Sequence, residues 1–193
     1  MPVSLYEISI PVFIRNLTNL AAILKKGEAY ADEKGIPHSK LLESKLVDDM
    51  ANLVFQVQRV SDTSKGAAVR VAGIEPVAMA DTETTFEDLQ ARIQKTIGVL
   101  QAVEATSMDD KEESPVVLKT RSGEFKFTGT SYMLNYALPN FFFHVVTAYD
   151  ILVSTSREYL IESPVLSFDL FRATGFKFLH CFSGDPSSQF RVL

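Results

Sequence analysis

The sequence predicts an all-α protein, a four-helix bundle with a small β-hairpin between helices 3 and 4. Four segments repeat apolar residues at three- and four-residue intervals, which is the spacing of one face of a helix. One short stretch, residues 116–128, instead places VVLKT and EFKFT on either side of an RSG turn, as a hairpin does. With 193 residues, the chain is long enough to bury a sizeable core.

The first two predicted helices each carry one apolar face. The first covers residues 4–33 and repeats apolar side chains at helical spacing: Ile10, Phe13, Leu17, Leu20 and Leu24. Because Pro11 lacks an amide donor, we expect a kink or a late start near it. The second covers residues 44–71, before an irregular connector at residues 74–82. Its bundle-type seam steps by four and three residues: Leu46, Met50, Leu53, Val57, Val60, Ser64, Ala67 and Val71.

The third and fourth predicted helices follow the connector. The third begins at a capping box formed by Thr84 and Glu87. Its predicted inward face consists of Phe86, Leu89, Ile93, Ile97, Leu100 and Val103. The fourth covers residues 129–153 and contains Pro139, which should free the carbonyl of Asn135 and bend the helix.

Composition and charge predict a cytoplasmic protein that binds neither nucleic acid nor membranes. Apolar residues make up 46% and charged residues 22%, as in ordinary globular proteins. The net charge of −5 disfavours nucleic-acid binding and attraction to anionic lipids. A single cysteine, Cys181, excludes an internal disulfide and fits a reducing compartment. No apolar run approaches the ~20 residues of a bilayer span, and no basic leader marks a signal peptide.

A narrow polar stripe runs along the otherwise apolar fourth helix. At ~100° per residue, the stripe contains Tyr136, Asn140, His144 and Thr147. Asn140 and His144 are four residues apart, so their side chains could share one ligand or water. The stripe is either the solvent face of an amphipathic helix or the lining of an internal pocket. The bend expected at Pro139 favours the pocket.

Four stretches carry a family resemblance: SLYEISIPVFIRNLTNL, LVDDMANLVFQVQRVSDTSKGAAVRVAG, DTETTFEDLQARI and FTGTSYMLNYALPNFFFHVVTAYDIL. They resemble the DUF1993 family, whose members have a DinB-like, or YfiT-like, four-helix bundle. The resemblance covers residues 4–153, and its most specific parts are TETTF and LPNFFFHVVTAYDIL. It implies one DinB-like domain over residues 1–153, followed by a divergent, Phe-rich C-terminal extension at residues 154–193.

The resemblance also implies where a metal would bind. DinB-like proteins commonly hold a divalent metal with three histidines, one on the second helix and an HxxxH pair on the fourth. His144 then stands at the second position of the pair and Asn140 at the first. On the second helix, Gln56 or nearby Asp49 is the best substitute for the missing histidine. Since zinc and nickel prefer imidazole and thiolate to neutral amides, we expect a degenerate site with no cofactor or a weakly bound divalent metal.

Three functions remain open. The first is a small-molecule-binding or enzymatic pocket centred on His144, because a histidine titrates near neutral pH. Its expected ligand contacts are Asp49, Gln56, Tyr136, Asn140 and Tyr149. The second is a DinB-type divalent-metal-dependent transferase or hydrolase with His144 as a metal ligand. The third is a non-catalytic structural or interaction protein that forms a homodimer.

Other clusters of reactive residues are interpreted as ordinary structure. The hydroxyls of Ser61 and Ser64 near Lys65 are common on helices, and Asp62 and Lys65 are expected to pair on the surface. The acidic run at residues 109–113 lacks calcium-loop spacing and predicts a solvated turn. Two further acids, Asp81 and Glu83, are expected to flank the start of the third helix, where negative charge suits the helix dipole.

The C-terminal extension does not match the family. Residues 154–193 hold six of the 14 phenylalanines, a content too apolar for a disordered tail. The segment packs over the bundle, forms an oligomer contact, or is a gene-model artefact, and the third explanation is preferred. Cys181 lies within it and receives no function.

Overall fold

The structure, a computed structural model, describes residues 4–120 and 123–155. Its helices, in chain order, are α1 (Leu5–Lys34), α2 (His38–Leu42), α3 (Leu53–Ala67), α4 (Phe86–Gln101), α5 (Gly129–Tyr132) and α6 (Leu138–Thr155). The strands β1 (Pro115–Thr120) and β2 (Gly123–Thr128) form one antiparallel pair between α4 and α5. The predicted fold class, a helical bundle with a hairpin before its last long helix, is confirmed. The C-terminal extension from residue 156 onward lies outside the described residues.

The four long helices surround one apolar core. α1 and α3 occupy opposite corners, and each packs against both α4 and α6. The rings of Phe13 and Phe141 meet at the centre, 4.7 Å apart. Every residue of the predicted α1 stripe and of the predicted inward face of the third helix is buried. Helical periodicity therefore identified the core-facing side of these two helices correctly.

The start of α1 is set by its cap. The Ser4 side chain accepts a hydrogen bond from the Glu7 amide at 3.1 Å, and the Glu7 carboxylate accepts one from the Ser4 amide. At the other end, Gly35 has φ 63° and closes the helix in the left-handed conformation that glycine adopts easily. The predicted late start at Pro11 is wrong, because this capping box nucleates the helix before the proline.

The start of α3 differs from its prediction. The helix begins at Leu53, not at residue 44, because the side chain of Asn52 caps it by accepting from the Phe55 amide at 3.0 Å. Leu46 and Asp49 consequently lie in the preceding loop and are exposed. From Leu53 onward, the predicted seam is buried through Val71.

The start of α4 is displaced by one residue from its prediction. The capping box pairs Thr85 with Asp88, not Thr84 with Glu87. The amides of Thr84 and Thr85 both donate to the Asp88 carboxylate, and these hydrogen bonds lower the pKa of Asp88. Both registers satisfy the capping pattern, and the observed one buries Phe86 at the first helical position.

The last predicted helix consists of three segments. A π-helical turn, Met133–Ala137, joins α5 to α6, and the Leu138 amide donates to the Met133 carbonyl five residues earlier. Pro139, which cannot donate, is the second residue of α6. The irregularity expected near Pro139 therefore takes the form of a π turn, which inserts an extra residue into the helical repeat.

The hairpin lies against this π turn. On β1, Val116 and Leu118 alternate with exposed residues and are buried. From β2, the Phe127 ring contacts Tyr132 and Tyr136, with centroids 5.8 Å and 6.2 Å apart. The two strands therefore obtain their apolar partner from the helices, as a two-stranded sheet must.

The irregular segment between α3 and α4, residues 74–85, runs back along α3. We call it the connector. Successive α3 side chains, taken in reverse order, contact successive connector residues: Lys65 with Val77, Ser61 with Met79, Arg59 with Asp81, and Gln58 with Glu83. The connection is therefore not a short turn, and α4 begins beside the first half of α3.

Arg92 of α4 joins the connector to α3. Its side chain is 1% exposed, and its guanidinium contacts the carboxylates of Glu83 at 2.7 Å, Asp62 at 3.0 Å and Asp81 at 3.0 Å. Asp81 and Glu83 lie just before the start of α4, as predicted, and they are also ion-pair partners of a buried arginine, a role that was not predicted. Burial alone would raise the pKa of Glu83, but hydrogen bonds from Arg92 and Gln58 outweigh it, and the pKa is lowered.

Two helical stretches are long and apolar enough, by length and composition alone, to cross a bilayer. They are Leu5–Lys34 and Gly129–Thr155, whereas the sequence was expected to hold no such run. Half of the most apolar window in the first, and 39% in the second, is buried inside the bundle. Core helices of globular proteins meet the same criterion, so the absence of membrane binding stays a prediction.

We expect Gly129→Ala to destabilise the fold. A Cβ atom at this position would collide with the main-chain oxygen of Lys111, which a rigid backbone cannot move aside. The adjacent Thr130 amide donates to the Glu112 carbonyl at 2.9 Å and holds the two segments together. Overpacking of this kind costs about 1–3 kcal/mol, measurable by urea unfolding.

Gly98→Ala is the matched control for that substitution. Gly98 is a helical position in α4 with open space around it, so the alanine should stabilise by about 0.4–1 kcal/mol. Equal unfolding midpoints for the two variants would contradict the close approach at Gly129.

We expect Arg92→Met to cost about 3 kcal/mol of unfolding free energy, because three carboxylates lose one shared buried partner. Arg15→Met, at an exposed position of α1, should change stability by about 0.5 kcal/mol at most. Hydrogen exchange should also increase in the connector of the Arg92 variant. An unchanged exchange pattern would show that the connector is held by its apolar contacts alone.

Candidate functional site

A hydrogen bond between α3 and α6 holds the imidazole of His144. Its Nδ1 lies 2.7 Å from Oε1 of Gln56. The amide nitrogen of Gln56 donates to the Ala51 carbonyl at 2.9 Å, and this bond fixes which end of the amide faces the ring. An amide oxygen only accepts, so Nδ1 carries the proton and donates. In the neutral ring the lone pair therefore resides on Nε2.

Two phenyl rings flank this imidazole. Phe143 and Phe55 each meet it edge to face, with centroids 5.1 Å and 6.3 Å away. The guanidinium carbon of Arg59 lies 5.0 Å from the centre of the Phe55 ring, a cation–π distance. Burial lowers the pKa of His144, and the positive charge of Arg59 lowers it further, to about 4. His144 is therefore neutral at pH 7.

Asn140, one turn before His144, also bonds to α3. Its amide nitrogen donates to the hydroxyl of Thr63 at 2.8 Å. The next member of the predicted polar stripe, Thr147, is buried and donates to the Phe143 carbonyl. The interpretation of this stripe as a solvent face is therefore wrong. It forms a polar seam between α3 and α6. Gln56 pairs with His144 and Thr63 with Asn140, which shows that the two helices run antiparallel.

The structure gives the surroundings of three other predicted ligand contacts: Asp49, Tyr136 and Tyr149. Asp49 is exposed in the loop before α3. Tyr136 lies in the π turn and stacks on Tyr132 at 5.6 Å beside the hairpin. Tyr149 is half-buried on α6, where burial and then neighbouring Asp150 raise its pKa. A ligand-binding role for these three residues stays a prediction.

Three residues beside His144 were not predicted, namely Phe55, Arg59 and Phe143. Phe55 and Arg59 are four residues apart on α3, so their side chains lie on the same side of the helix, next to that of Gln56. That spacing was visible in the sequence. The sequence did not show that α3 packs against α6, because each helix has an apolar face that could pack against any of the others.

The residues present do not fit a three-histidine metal centre. Within residues 4–120 and 123–155, no three His, Cys, Asp or Glu side chains are close enough together to hold an ion. Of the two amide substitutes, Gln56 uses its oxygen to accept from His144, and Asn140 binds Thr63. Neutral amides are also poor ligands for zinc and similar metals.

The remaining clusters have structural partners. Ser64 donates to main-chain carbonyls of its own helix, and Ser61 shares a 2.6 Å hydrogen bond with Thr96 of α4. Lys65 pairs with Asp62 at 3.2 Å, as predicted, although its side chain is nearly buried. The acidic run at residues 109–113 is exposed, as expected of a solvated turn.

Comparison with known proteins agrees with this architecture. The crystal structure of a DinB family member protein from Shewanella denitrificans matches with a TM-score of 0.78 and 30% sequence identity, covering 91% of this chain and 96% of that one. The bundle is thus of the DinB-like class. The family described as "Domain of unknown function (DUF1993)" matches residues 5–155, and the chain belongs to it. No curated protein matches.

We expect the pKa of His144 to be about 4 in an NMR titration of its ring protons. Arg59→Gln should raise the pKa but leave it below 6.5, because burial is the larger cause. Arg15→Gln, at an exposed site on α1, is the control and should leave it unchanged. A wild-type value near 6.5 would contradict the half-buried position of the ring.

The same shift predicts a pH dependence of stability. Between pH 6.5 and about 4, the unfolded chain binds a proton at His144 that the folded chain does not. The contribution of His144 to the free energy of unfolding therefore falls as the pH falls through this window. His144→Phe should flatten this part of the stability profile, as followed by urea unfolding at a series of pH values.

Proposed function

We propose that this protein binds a small molecule at a site centred on His144, without a tightly bound metal. The observation that carries the proposal is the state of the imidazole: neutral at pH 7, anchored through Nδ1 by Gln56, and flanked by two phenyl rings. A half-buried acceptor surrounded by apolar groups is typical of ligand sites, where few polar groups orient a mostly apolar occupant.

The low pKa distinguishes binding from proton-transfer catalysis. A general base works best when its pKa lies near the working pH, and a base of pKa about 4 removes protons from neutral groups poorly. We therefore favour His144 as a hydrogen-bond acceptor for a ligand over His144 as a catalytic base. An enzymatic role would require the bound ligand to raise this pKa.

A DinB-type metal-dependent transferase or hydrolase is the less favoured alternative, because the donor set around His144 does not fit a divalent metal. Protein purified without a histidine tag should hold no stoichiometric transition metal by mass spectrometry. Bound zinc, nickel or iron at one equivalent, lost in His144→Ala, would overturn the metal-independent proposal.

A second candidate function is assembly into a homodimer, with or without a ligand. The outer surface of α6 and the turn before it expose four large apolar side chains: Leu134, Phe142, Phe143 and Val146. Contiguous exposed apolar surface commonly marks an interaction site. A second copy would cover this surface, and the charge and single cysteine of the chain fit a cytoplasmic homodimer that binds neither nucleic acid nor membranes.

The ligand proposal is tested with a fragment library and ligand-observed NMR. At least one fragment should bind the wild type and lose about three- to tenfold in affinity in His144→Ala, the value of one hydrogen bond. His38→Ala is the matched control, since His38 pairs with Asp32 at the far end of α1 and should leave binding unchanged. A library without any binder that distinguishes the two variants would reject the proposal.

The homodimer is tested by size-exclusion chromatography with light scattering. We expect a dimer mass for the wild type and a monomer mass for Val146→Lys, because the lysine places a charge in the exposed apolar surface of α6. Lys126→Ala, at an exposed position of the hairpin, should remain dimeric. A wild type that elutes only as a monomer removes this candidate.

A further inference from the structure

The hydrogen bond to Gln56 occupies only one of the two ring nitrogens of His144. Within residues 4–120 and 123–155, no side chain or main-chain group is hydrogen-bonded to Nε2 of His144, whereas Nδ1 is held at 2.7 Å. His144 itself is half-buried, and the neighbouring residue Phe143 is 55% exposed, so the imidazole lies near the molecular surface. Among the described residues, the buried polar atoms without a partner are the Nε atoms of Arg59 and Arg92, and Nε2 of His144 is not one of them, so a donor from outside the bundle can reach it.

Two hydrogen bonds fix the orientation of the Gln56 side-chain amide. Its amide nitrogen bonds to the carbonyl of Ala51, the residue just before the α3 cap. If the amide were flipped, its oxygen would face that carbonyl oxygen and its nitrogen would face a ring nitrogen. Two acceptors would then oppose each other, and the bond to His144 would require the opposite tautomer. The Ala51 carbonyl therefore fixes the orientation of the Gln56 amide, and the Gln56 oxygen in turn fixes which nitrogen of the imidazole carries the proton.

We propose that Gln56 is a positioning residue that keeps the proton of His144 on Nδ1, so that the Nε2 lone pair receives the ligand and selects neutral hydrogen-bond donors with an apolar body. This inference deepens the proposed function and rests on it for the identity of the site. It also changes the predicted role of Gln56, which acts on the ligand through His144 and does not itself contact the ligand.

The chemistry around Nε2 defines the ligand class. A lone pair binds O–H, N–H or S–H groups and rejects acceptors. The edges of Phe55 and Phe143 favour an aromatic or aliphatic body next to the donor. Burial first, and then the charge of Arg59, disfavour a positive charge on the imidazole, and we expect both to disfavour a cationic donor such as an ammonium group beside it. Neutral alcohols, phenols or thiols therefore fit, and amines that are charged at pH 7 do not.

The tautomer is tested on the full chain by nitrogen NMR at pH 7. We expect the His144 ring, assigned by loss of its signals in His144→Asn, to show a protonated Nδ1 and a pyridine-type Nε2. Gln56→Leu should give a mixture of tautomers, whereas Gln90→Leu should not. Gln90 is the matched control because its amide also donates to a main-chain carbonyl, that of Ala21.

Two results would overturn the positioning role. One is a wild-type ring protonated on Nε2, and the other is an unchanged Nδ1 tautomer in Gln56→Leu. If Gln56→Leu fails to fold, Gln56→Glu replaces it: one carboxylate oxygen still accepts from Nδ1, although the hydrogen bond to the Ala51 carbonyl is lost. That variant should retain the wild-type tautomer and raise the pKa of His144. A Gln56→Glu ring whose pKa does not rise would show that residue 56 does not contact the imidazole.

The ligand class is tested with three probes of one shape: benzyl alcohol, toluene and benzylammonium. Only benzyl alcohol should shift the Nε2 signal of His144 in a titration monitored by NMR. Equal shifts with toluene or benzylammonium would overturn the selection for neutral donors. If no probe shifts Nε2 while the wild-type tautomer is as expected, the ligand part fails together with the proposed function, and the positioning of His144 by Gln56 still holds.

Discussion

The arrangement of the helices depends on the ion pairs that the guanidinium of Arg92 forms. It is nearly inaccessible to solvent and reaches three carboxylates, one from α3 and two from the connector. Without partners, a charge at this depth would be very unfavourable, so the connector has to lie where Asp81 and Glu83 can meet it. The irregular segment thereby acquires one defined course along α3, although it has no helix or strand of its own.

The same carboxylates connect this centre to the polar seam. Asp62 and Asp81 bind Arg59 as well as Arg92, at 2.9 Å in each case for Arg59. Arg59 lies over the Phe55 ring, and that ring meets the edge of His144. The positive charge that helps to lower the pKa of His144 is therefore held in place partly by Asp81 of the connector. The charge-paired region and the apolar core are not separate parts of the bundle.

The sequence predicted the fold well and the site in part. Periodicity identified the buried faces of α1 and α4 because each residue's burial follows from its position on one helix. It failed at the start of α3, where the apolar spacing continued past Asn52 although that side chain caps the helix. It also did not indicate the π turn at Met133–Ala137, since no local sequence pattern marks the extra residue of such a turn. His144, Gln56 and Asn140 were all identified, but as ligand contacts. Their mutual pairing depends on which helices are neighbours, and this is a property of the whole chain.

The polar seam has a consequence for how the chain finds its structure. Burial of apolar side chains is non-directional, so by itself it permits more than one alignment of α3 and α6. Two hydrogen bonds at separate levels, from His144 to Gln56 and from Asn140 to Thr63, are satisfied together in only one of them. A displaced alignment would bury both amides and the imidazole without partners. The seam therefore determines the register in which these two antiparallel helices pack, independently of any ligand.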